Sequence, residues 1–169
     1  MNLILTDKPL SEALQTGKHQ YVDVTKEKIT PCMGCFGCWT KTPGKCVIRD
    51  SAVKIYPLIA QAENVLYISR IVYGSYDVPL KTMFERAIPV QQAFIRIHNN
   101  ETHHVQRSVT PKKAVIIAYG AKDDAEKDVF RKLVSRNANN MIFTEFEVIF
   151  CNEEEVDSVA KLEMEKRWN

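Results

Sequence analysis

The sequence lacks a strong net charge, a long apolar run and the common hydrolase and nucleotide-binding motifs. Its 169 residues carry a net charge of +2, which is too small to favour nucleic acid or an anionic membrane as a partner. The apolar runs, such as AVIIAYG at 114–120, are of strand length, so no membrane span is predicted. The sequence also shows no Ser-His-Asp arrangement, Walker loop or HExxH motif, which would indicate a serine hydrolase, a nucleotide-binding protein or a metalloprotease.

The N-terminal stretch MNLILTDKP lacks the basic start and the longer apolar segment of a signal peptide. We therefore expect a cytoplasmic protein, in which thiols stay reduced. The composition, with 45% hydrophobic and 26% charged residues, is typical of a soluble globular chain. The length predicts a single domain over residues 1–169.

Short apolar segments alternate with segments of helical spacing along the whole chain. Strands are predicted at 2–5, 19–24, 63–69, 113–119 and 145–150, where Val, Ile, Tyr and Phe dominate. Helices are predicted at 9–15, 50–62, 78–95, 123–140 and 153–168, with Asp50 and Asp123 as N-caps. The polar segment 98–111 is predicted to be a loop. This alternation predicts an α/β fold, a three-layer sandwich around a parallel sheet.

Four of the five cysteines lie in one run, PCMGCFGCWTKTPGKC at 31–46. Cys32, Cys35, Cys38 and Cys46 satisfy the ligand count of a four-iron cluster. A zinc ion is a second alternative, although three cysteines at consecutive x2 spacing make tetrahedral closure by one loop awkward. The third alternative, which we favour here, is a set of structural or mildly redox-active thiols without metal.

Three blocks in matching order resemble the flavodoxin-like NADPH-dependent FMN reductase family, including its iron–sulfur flavoprotein branch. The blocks are PCMGCFGCWTKTPGKCVIRD (31–50), SRIVYGSYDVPLKTMFERAIP (69–89) and IIAYG (116–120). The resemblance covers roughly residues 19–150 and implies a flavodoxin-like sandwich with a five-stranded parallel sheet in the order 2-1-3-4-5. It also implies FMN as the cofactor and NAD(P)H as the electron donor.

The resemblance further implies which residues hold the flavin. They lie in two loops that follow the predicted parallel strands 63–69 and 113–119, and such folds bind ligands at the carboxyl ends of their strands. Gly74 would let the backbone approach a planar ligand, and Tyr73 would offer an aromatic face. The structural alternative is a tight turn packed on the start of a helix. Because the cofactor performs the electron transfer, no catalytic side chain is predicted. The predicted cofactor-binding residues are Ile71, Val72, Tyr73, Gly74, Ser75, Tyr119 and Gly120.

Two further features bear on phosphate binding. The first loop, LTDKPLSEAL at 5–14, has no glycine and carries Asp7 where the family holds the FMN phosphate, although Thr6, Lys8 and Ser11 could help. Lys81 and Arg86 could also meet a phosphate or a nicotinamide cofactor, but a solvated helix face is the favoured interpretation.

The leading functional hypothesis is therefore an FMN-dependent NAD(P)H oxidoreductase that reduces a small acceptor such as a quinone or free flavin. One alternative is a cofactor-less flavodoxin-like binding or assembly protein. The other is an iron–sulfur flavoprotein electron carrier, with Cys32, Cys35, Cys38 and Cys46 as cluster ligands. The resemblance also implies a homodimer or higher homo-oligomer, with 84–108 as the contact segment.

Overall fold

The computed structural model describes residues 1–168. Its strands, in chain order, are β1 (Asn2–Thr6), β2 (His19–Asp23), β3 (Asn64–Val72), β4 (Ser75–Tyr76), β5 (Gln91–His98), β6 (Glu101–Gln106), β7 (Lys112–Tyr119) and β8 (Phe143–Cys151). Its helices are α1 (Glu12–Gln15), α2 (Gly37–Thr40), α3 (Ala52–Gln61), α4 (Val78–Glu85), α5 (Asp124–Met141) and α6 (Val156–Arg167). Short 3-10 turns occupy Val24–Lys26, Ile88–Val90 and Glu153–Glu155. Within residues 1–168, no helix is both long enough and apolar enough to cross a membrane.

The main sheet confirms the predicted fold class. Five strands run parallel in the spatial order β2-β1-β3-β7-β8. Counted among these five alone, the order is the predicted 2-1-3-4-5. The two residues of β4 add a short antiparallel extension to the end of β3. The central strands β1, β3 and β7 are almost wholly buried, because helices cover both faces of the sheet.

The two faces of the sheet have separate hydrophobic cores. On one face, α3, α4 and α5 pack Ile55, Leu80 and Phe130 against the sheet. On the other face, α1 and α6 contribute Leu14 and Ala160 to a smaller core. The difference follows from the short connection between β1 and β2, in which α1 has four residues, about one turn.

The segment 78–111 differs from its predicted structure. The predicted helix 78–95 ends at Glu85, and the predicted loop 98–111 contains a strand. Pro89 lacks an amide hydrogen and disfavours helix in the preceding residue, so the helical pattern cannot continue. Instead, β5 and β6 form a two-stranded antiparallel sheet around Asn99 and Asn100, whose φ angles are +52° and +60°. Two consecutive residues in this region are typical of a tight hairpin turn.

Candidate functional site

The carboxyl ends of β1, β3 and β7 lie side by side. Asp7, directly after β1, accepts hydrogen bonds from residues at the ends of β3 and β7. Asp7 Oδ2 accepts hydrogen bonds from Ser69 Oγ (2.6 Å) and from the Arg70 amide (2.9 Å). Asp7 Oδ1 accepts one from the Tyr119 hydroxyl (2.9 Å). Asp7 is buried, and burial raises the pKa of its carboxyl although these donors act in the opposite direction. Asp7 therefore turns into the protein and does not face a ligand across the first loop.

The amide groups of residues 7–11, directly after β1, are already bound within the protein. Pro9 has no amide hydrogen to offer. The other four amides of this stretch donate as follows: Asp7 to Ile68 O (3.1 Å), Lys8 to Thr6 Oγ1 (3.2 Å), Leu10 to the Tyr21 hydroxyl (3.2 Å) and Ser11 to Asp157 Oδ2 (2.8 Å). A bound phosphate would need several of these donors to be available.

Acidic residues at the start of the last helix cover the same loop. Besides the contact of Asp157 with the Ser11 amide, Lys8 Nζ lies 3.3 Å from Glu153 Oε1 and 3.2 Å from the Glu153 carbonyl. A phosphate placed here would lie against both carboxylates. The residues of the first loop therefore do not fit the phosphate of FMN as they are arranged.

The segment 71–76 forms a β-hairpin that packs on α5. Tyr73 and Gly74 form its turn, with φ angles of +51° and +70°. The Gly74 amide donates to Glu126 Oε1 (3.0 Å), and a Cβ at Gly74 would lie 2.5 Å from Val129 Cγ1. Glycine is thus required here for close approach to a helix. Tyr73 is 86% exposed, with Lys122 Nζ 5.2 Å from its ring centroid.

The structure brings the two predicted flavin segments to the same edge of the sheet, since Arg70 pairs with Tyr119 in the parallel register of β3 and β7. The individual residues are placed differently. Tyr73 and Gly120 are exposed, whereas Val72 and Ser75 are half-buried. Buried are Ile71, Gly74 and Tyr119, the last with its hydroxyl on Asp7.

The cysteine run forms a second candidate site. Cys32, Cys35, Cys38 and Cys46 all line one mainly apolar cavity of about 150 Å³. Cys32 and Cys35 are exposed, while Cys38 and Cys46 are half-buried. Burial raises the pKa of the Cys38 thiol, and the three neighbouring cysteines add to this shift. Within residues 1–168, no three His, Cys, Asp or Glu side chains converge as closely as ligands of one metal ion do. The four thiols thus surround a volume and not a single point.

Arg86 fixes the cysteine loop to the rest of the protein. It is 1% exposed and donates to both carboxylate oxygens of Asp50, with Nη1–Oδ2 at 2.7 Å and Nη2–Oδ1 at 3.0 Å. It also donates to the Thr30 carbonyl, and its Nη2 lies 3.4 Å from Cys46 Sγ. Both predicted roles for Arg86, a phosphate contact and a solvated face, are wrong because this side chain is buried. Lys81 does lie on an exposed face, paired with Glu85 at 2.7 Å.

Several residues of these sites escaped prediction. Asp157 lies in the predicted helix 153–168, and no sequence signal places it beside the first loop. Arg86 belongs to the block at 69–89 that carries the resemblance, yet its burial depends on the distant Asp50. The N-cap of α3 is Ser51, one residue after the predicted Asp50, whose Oδ1 nevertheless accepts from the Ala52 amide (3.1 Å). Asp123 caps α5 as predicted, accepting from the Glu126 amide (2.8 Å).

No protein-family model matches the sequence. The iron–sulfur flavoprotein of Methanosarcina thermophila is 24% identical over 98 residues, 55% of this chain and 50% of that protein. An iron–sulfur flavoprotein of Methanocaldococcus jannaschii is 27% identical over 75 residues, 44% of this chain and 38% of that protein. The aligned parts thus span half or less of the length of these curated relatives.

Solved structures match almost the whole chain. An FMN-dependent NADH-azoreductase of Bacillus anthracis, solved with FMN, has a TM-score of 0.57 at 12% identity, over 98% of this chain and 95% of that chain. An NAD(P)H:quinone oxidoreductase of Methanothermobacter marburgensis has a TM-score of 0.60 at 11% identity, over the same shares. At such identities the likeness shows the fold alone. Together with the curated relatives, it confirms the resemblance of this chain to flavodoxin-like FMN reductases and iron–sulfur flavoproteins.

Proposed function

We propose that this chain is an oxidoreductase of the flavin reductase class, which takes electrons from NAD(P)H and passes them to a small acceptor such as a quinone or free flavin. The observation that carries the proposal is the flavodoxin-like fold, shared over nearly the whole chain with an FMN-dependent NADH-azoreductase and an NAD(P)H:quinone oxidoreductase. The curated relatives, which are iron–sulfur flavoproteins, support the same class.

FMN is the cofactor that we propose, with Ile71, Val72, Tyr73, Gly74, Ser75, Tyr119 and Gly120 around its ring system. A bound flavin would supply the electron-transfer chemistry. The first loop does not fit the phosphate as it is arranged, because Asp157 already holds the Ser11 amide. Binding of FMN therefore requires that α6 releases this amide.

Flavin titration tests this cofactor proposal. We expect the purified chain to quench the fluorescence of FMN, and we expect Asp157→Asn to bind FMN more tightly because a carboxylate no longer opposes the phosphate. Riboflavin, which has no phosphate, should bind both proteins equally. Asp128→Asn, which removes an exposed carboxylate on α5, is the control and should behave as the unaltered chain.

Absence of FMN binding by both the unaltered chain and Asp157→Asn, up to about 100 µM flavin, would reject the cofactor proposal. That outcome, combined with no NAD(P)H oxidation, would favour the alternative of a cofactor-less binding or assembly protein. Equal gains in Asp157→Asn and Asp128→Asn would show that net charge, and not the Ser11 contact, governs phosphate binding.

We propose, as a second candidate function, an electron carrier with an iron–sulfur cluster, which one specific observation supports. The four thiols of the cysteine run share one cavity, and a cluster holds its thiolate ligands further apart than a single ion does. The donor set is four cysteines, the usual ligands of a four-iron cluster. Cys32, Cys35, Cys38 and Cys46 would hold such a cluster, which would supply a one-electron carrier.

Anaerobic purification with iron and sulfide tests the cluster. We expect brown protein with bound iron, and loss of both colour and iron in Cys35→Ser. Cys151→Ser is the matched control, because Cys151 lies at the end of β8 and outside the cysteine cavity, and it should keep both. Colourless, iron-free protein after this treatment would reject the cluster and leave structural or redox-active thiols.

We further propose that the 169 residues form a single domain and that the protein is cytoplasmic. We also propose that it assembles as a homodimer or higher homo-oligomer. The β5–β6 hairpin supports this assembly, because Phe94, Ile95 and Ile97 are 71%, 65% and 74% exposed. Such a cluster of apolar side chains at the surface is typical of an interaction site. The hairpin lies within the segment 84–108, the contact that the resemblance implied.

A further inference from the structure

A cavity of about 430 Å³ lies away from the first loop and next to the cysteine run's own cavity, with which it shares Glu85 and Ile88. Its walls come from α3, α4, α5 and the β5–β6 hairpin, and they are mainly apolar, with Ile59, Phe84 and Leu133 among them. A volume between roughly 300 and 1,000 Å³ with a few polar groups is typical of small-molecule sites. Of the predicted flavin residues, Ser75 alone lines it.

One of the residues that line this cavity is a buried lysine. Lys112, the first residue of β7, is 1% exposed and lines the cavity. Its Nζ donates to the Thr110 carbonyl (2.6 Å) and to the Met141 carbonyl (3.2 Å) at the end of α5. An ammonium group has three donors, so one is left after these two bonds.

The charge of this lysine has no ionic partner among residues 1–168, since no Asp or Glu there forms a salt bridge with it. Glu85, which also lines the cavity, is paired with Lys81. Burial lowers the pKa of Lys112 to about 8, because a buried charge without a counterion is unfavourable. An anion in the cavity would relieve this cost.

Two further side chains line the same cavity with a buried polar atom that has no protein partner. Gln106 Nε2 donates to the Asn140 carbonyl (2.8 Å), and this bond fixes the amide so that Oε1 is the atom left without a donor. His104 Nδ1 is also buried without a partner in the described part of the chain, while its ring packs on Trp39, with the ring centroids 4.7 Å apart and the planes tilted by 44°. Buried polar atoms are costly unless something binds them.

Lys112 and Gln106 are both anchored at the end of α5. They donate to the carbonyls of Met141 and Asn140, which are consecutive residues. A cation and a bare acceptor are therefore both held on the α5 side of a mainly apolar cavity. A ligand that satisfies both needs an anionic group, a hydrogen-bond donor and an apolar body.

We propose that this cavity binds a small apolar carboxylate, in particular an aromatic acid that also carries a hydroxyl group. The carboxylate would face Lys112, the hydroxyl would donate to Gln106 Oε1, and the ring would lie among Ile59, Phe84 and Leu133. The site does not depend on the proposed flavin or iron–sulfur chemistry, because no candidate ligand of a cluster lines it and Ser75 is its one shared flavin residue.

The test uses the full chain, labelled with ¹⁵N, and three probes: 4-hydroxybenzoate, benzoate and the uncharged benzamide. We expect 4-hydroxybenzoate to shift amide signals of residues 104–106 and 137–141, and to bind at least ten times more tightly than benzamide. Benzoate should lie between them, because it keeps the carboxylate and lacks the hydroxyl group.

Two variants and a control locate the site. Lys112→Met should weaken 4-hydroxybenzoate at least tenfold and abolish the preference over benzamide. Lys113→Met, at the neighbouring exposed lysine that pairs with Glu145, should bind as the unaltered chain. Leu133→Trp leaves Lys112 in place and narrows the cavity where the ring is proposed to lie, so it should also weaken 4-hydroxybenzoate at least tenfold; it keeps the test decisive if Lys112→Met does not fold.

No shift of these signals up to about 10 mM 4-hydroxybenzoate, far above the range of useful affinities, would overturn the proposal. Equal binding of benzamide and benzoate would also overturn it, because the cavity would then have no anion preference. So would equal weakening by Lys112→Met and Lys113→Met, since binding would then follow surface charge.

Discussion

The carboxylate of Asp7 links the carboxyl ends of β1, β3 and β7 through the hydrogen bonds that it accepts. Its raised pKa means that the folded protein binds a proton at this group at higher pH than the unfolded chain does. The contribution of Asp7 to stability therefore falls as pH rises from the ordinary Asp range through its folded pKa. The donors Ser69, Arg70 and Tyr119 limit this cost, because each bond favours the ionised form.

Tyr119→Phe removes one of these donors without changing the ring. We expect a loss of about 1.5–3 kcal/mol in the free energy of unfolding at neutral pH, the usual range for a hydrogen bond to a charged group. At about pH 4, near the ordinary pKa of Asp, the raised pKa keeps a larger share of Asp7 protonated than at neutral pH, and the loss should be smaller. Urea denaturation at both pH values measures this.

Tyr73→Phe provides the control, because this ring is exposed at the hairpin turn, and it should change stability by less than about 0.5 kcal/mol. Equal losses for Tyr119→Phe at the two pH values would contradict a bond to an ionised Asp7.

Gly74 and Gly34 form a matched pair of glycines. Their φ angles are +70° and +64°, but a Cβ at Gly74 would meet Val129, whereas a Cβ at Gly34 would meet nothing within 4 Å. Both Gly→Ala changes should cost about 1–2 kcal/mol for the left-handed backbone. Gly74→Ala should cost about 1–3 kcal/mol more, because it overpacks the contact with α5. Denaturation curves of the two variants give this difference, and equal costs would show that α5 yields freely.

At the scale of elements, Arg86 joins α4 to the cysteine run through Asp50. Burial alone would raise the Asp50 pKa, but the hydrogen bonds from Arg86 and the Thr30 amide outweigh it, so the pKa of Asp50 lies below its usual value. This stabilisation is present above the ordinary Asp pKa and is lost as pH falls through the lower folded value.

Arg86→Ala should destabilise the protein by about 3–5 kcal/mol at neutral pH, because Asp50 is left buried without its partner. Lys81→Ala, on the same helix, removes an exposed ion pair with Glu85 and should cost no more than about 1 kcal/mol. Thermal or chemical denaturation compares them. A similar small effect from both variants would mean that water reaches Asp50 once Arg86 is gone.

The parallel sheet was predictable because its strands are apolar on both faces, a pattern that local sequence records directly. The hairpin at 91–106 was not predicted, because IPVQQAFI continues the helical spacing of α4 until Pro89 is taken into account, and Asn99–Asn100 is the one turn signal. Contacts across the chain, such as Asp7 with Tyr119 or Ser11 with Asp157, leave no local pattern. The edge of the sheet at which the two predicted flavin segments meet was therefore predictable, but the occupation of the first loop was not.

For the whole molecule, the exposed apolar side chains of the β5–β6 hairpin, Phe94, Ile95 and Ile97, predict self-association. Ile97→Lys should shift the sedimentation coefficient from dimer to monomer, because a lysine cannot be buried between two copies without a partner. Leu162→Lys places the same charge on an exposed apolar residue of α6 and should leave the dimer intact. A monomer in the unaltered chain, or equal effects of the two changes, would contradict the proposed interface.

Trp39 lines the cysteine cavity, and its ring packs on His104. Its Nε1 also donates a hydrogen bond to the Gln91 carbonyl (3.0 Å). The other tryptophan of the sequence, Trp168, packs against His19 on the opposite face of the sheet. The chain thus carries a built-in optical probe and its own reference. Oxidation or metal loading of the four thiols should change the emission of Trp39 while Trp168 reports an unaltered fold.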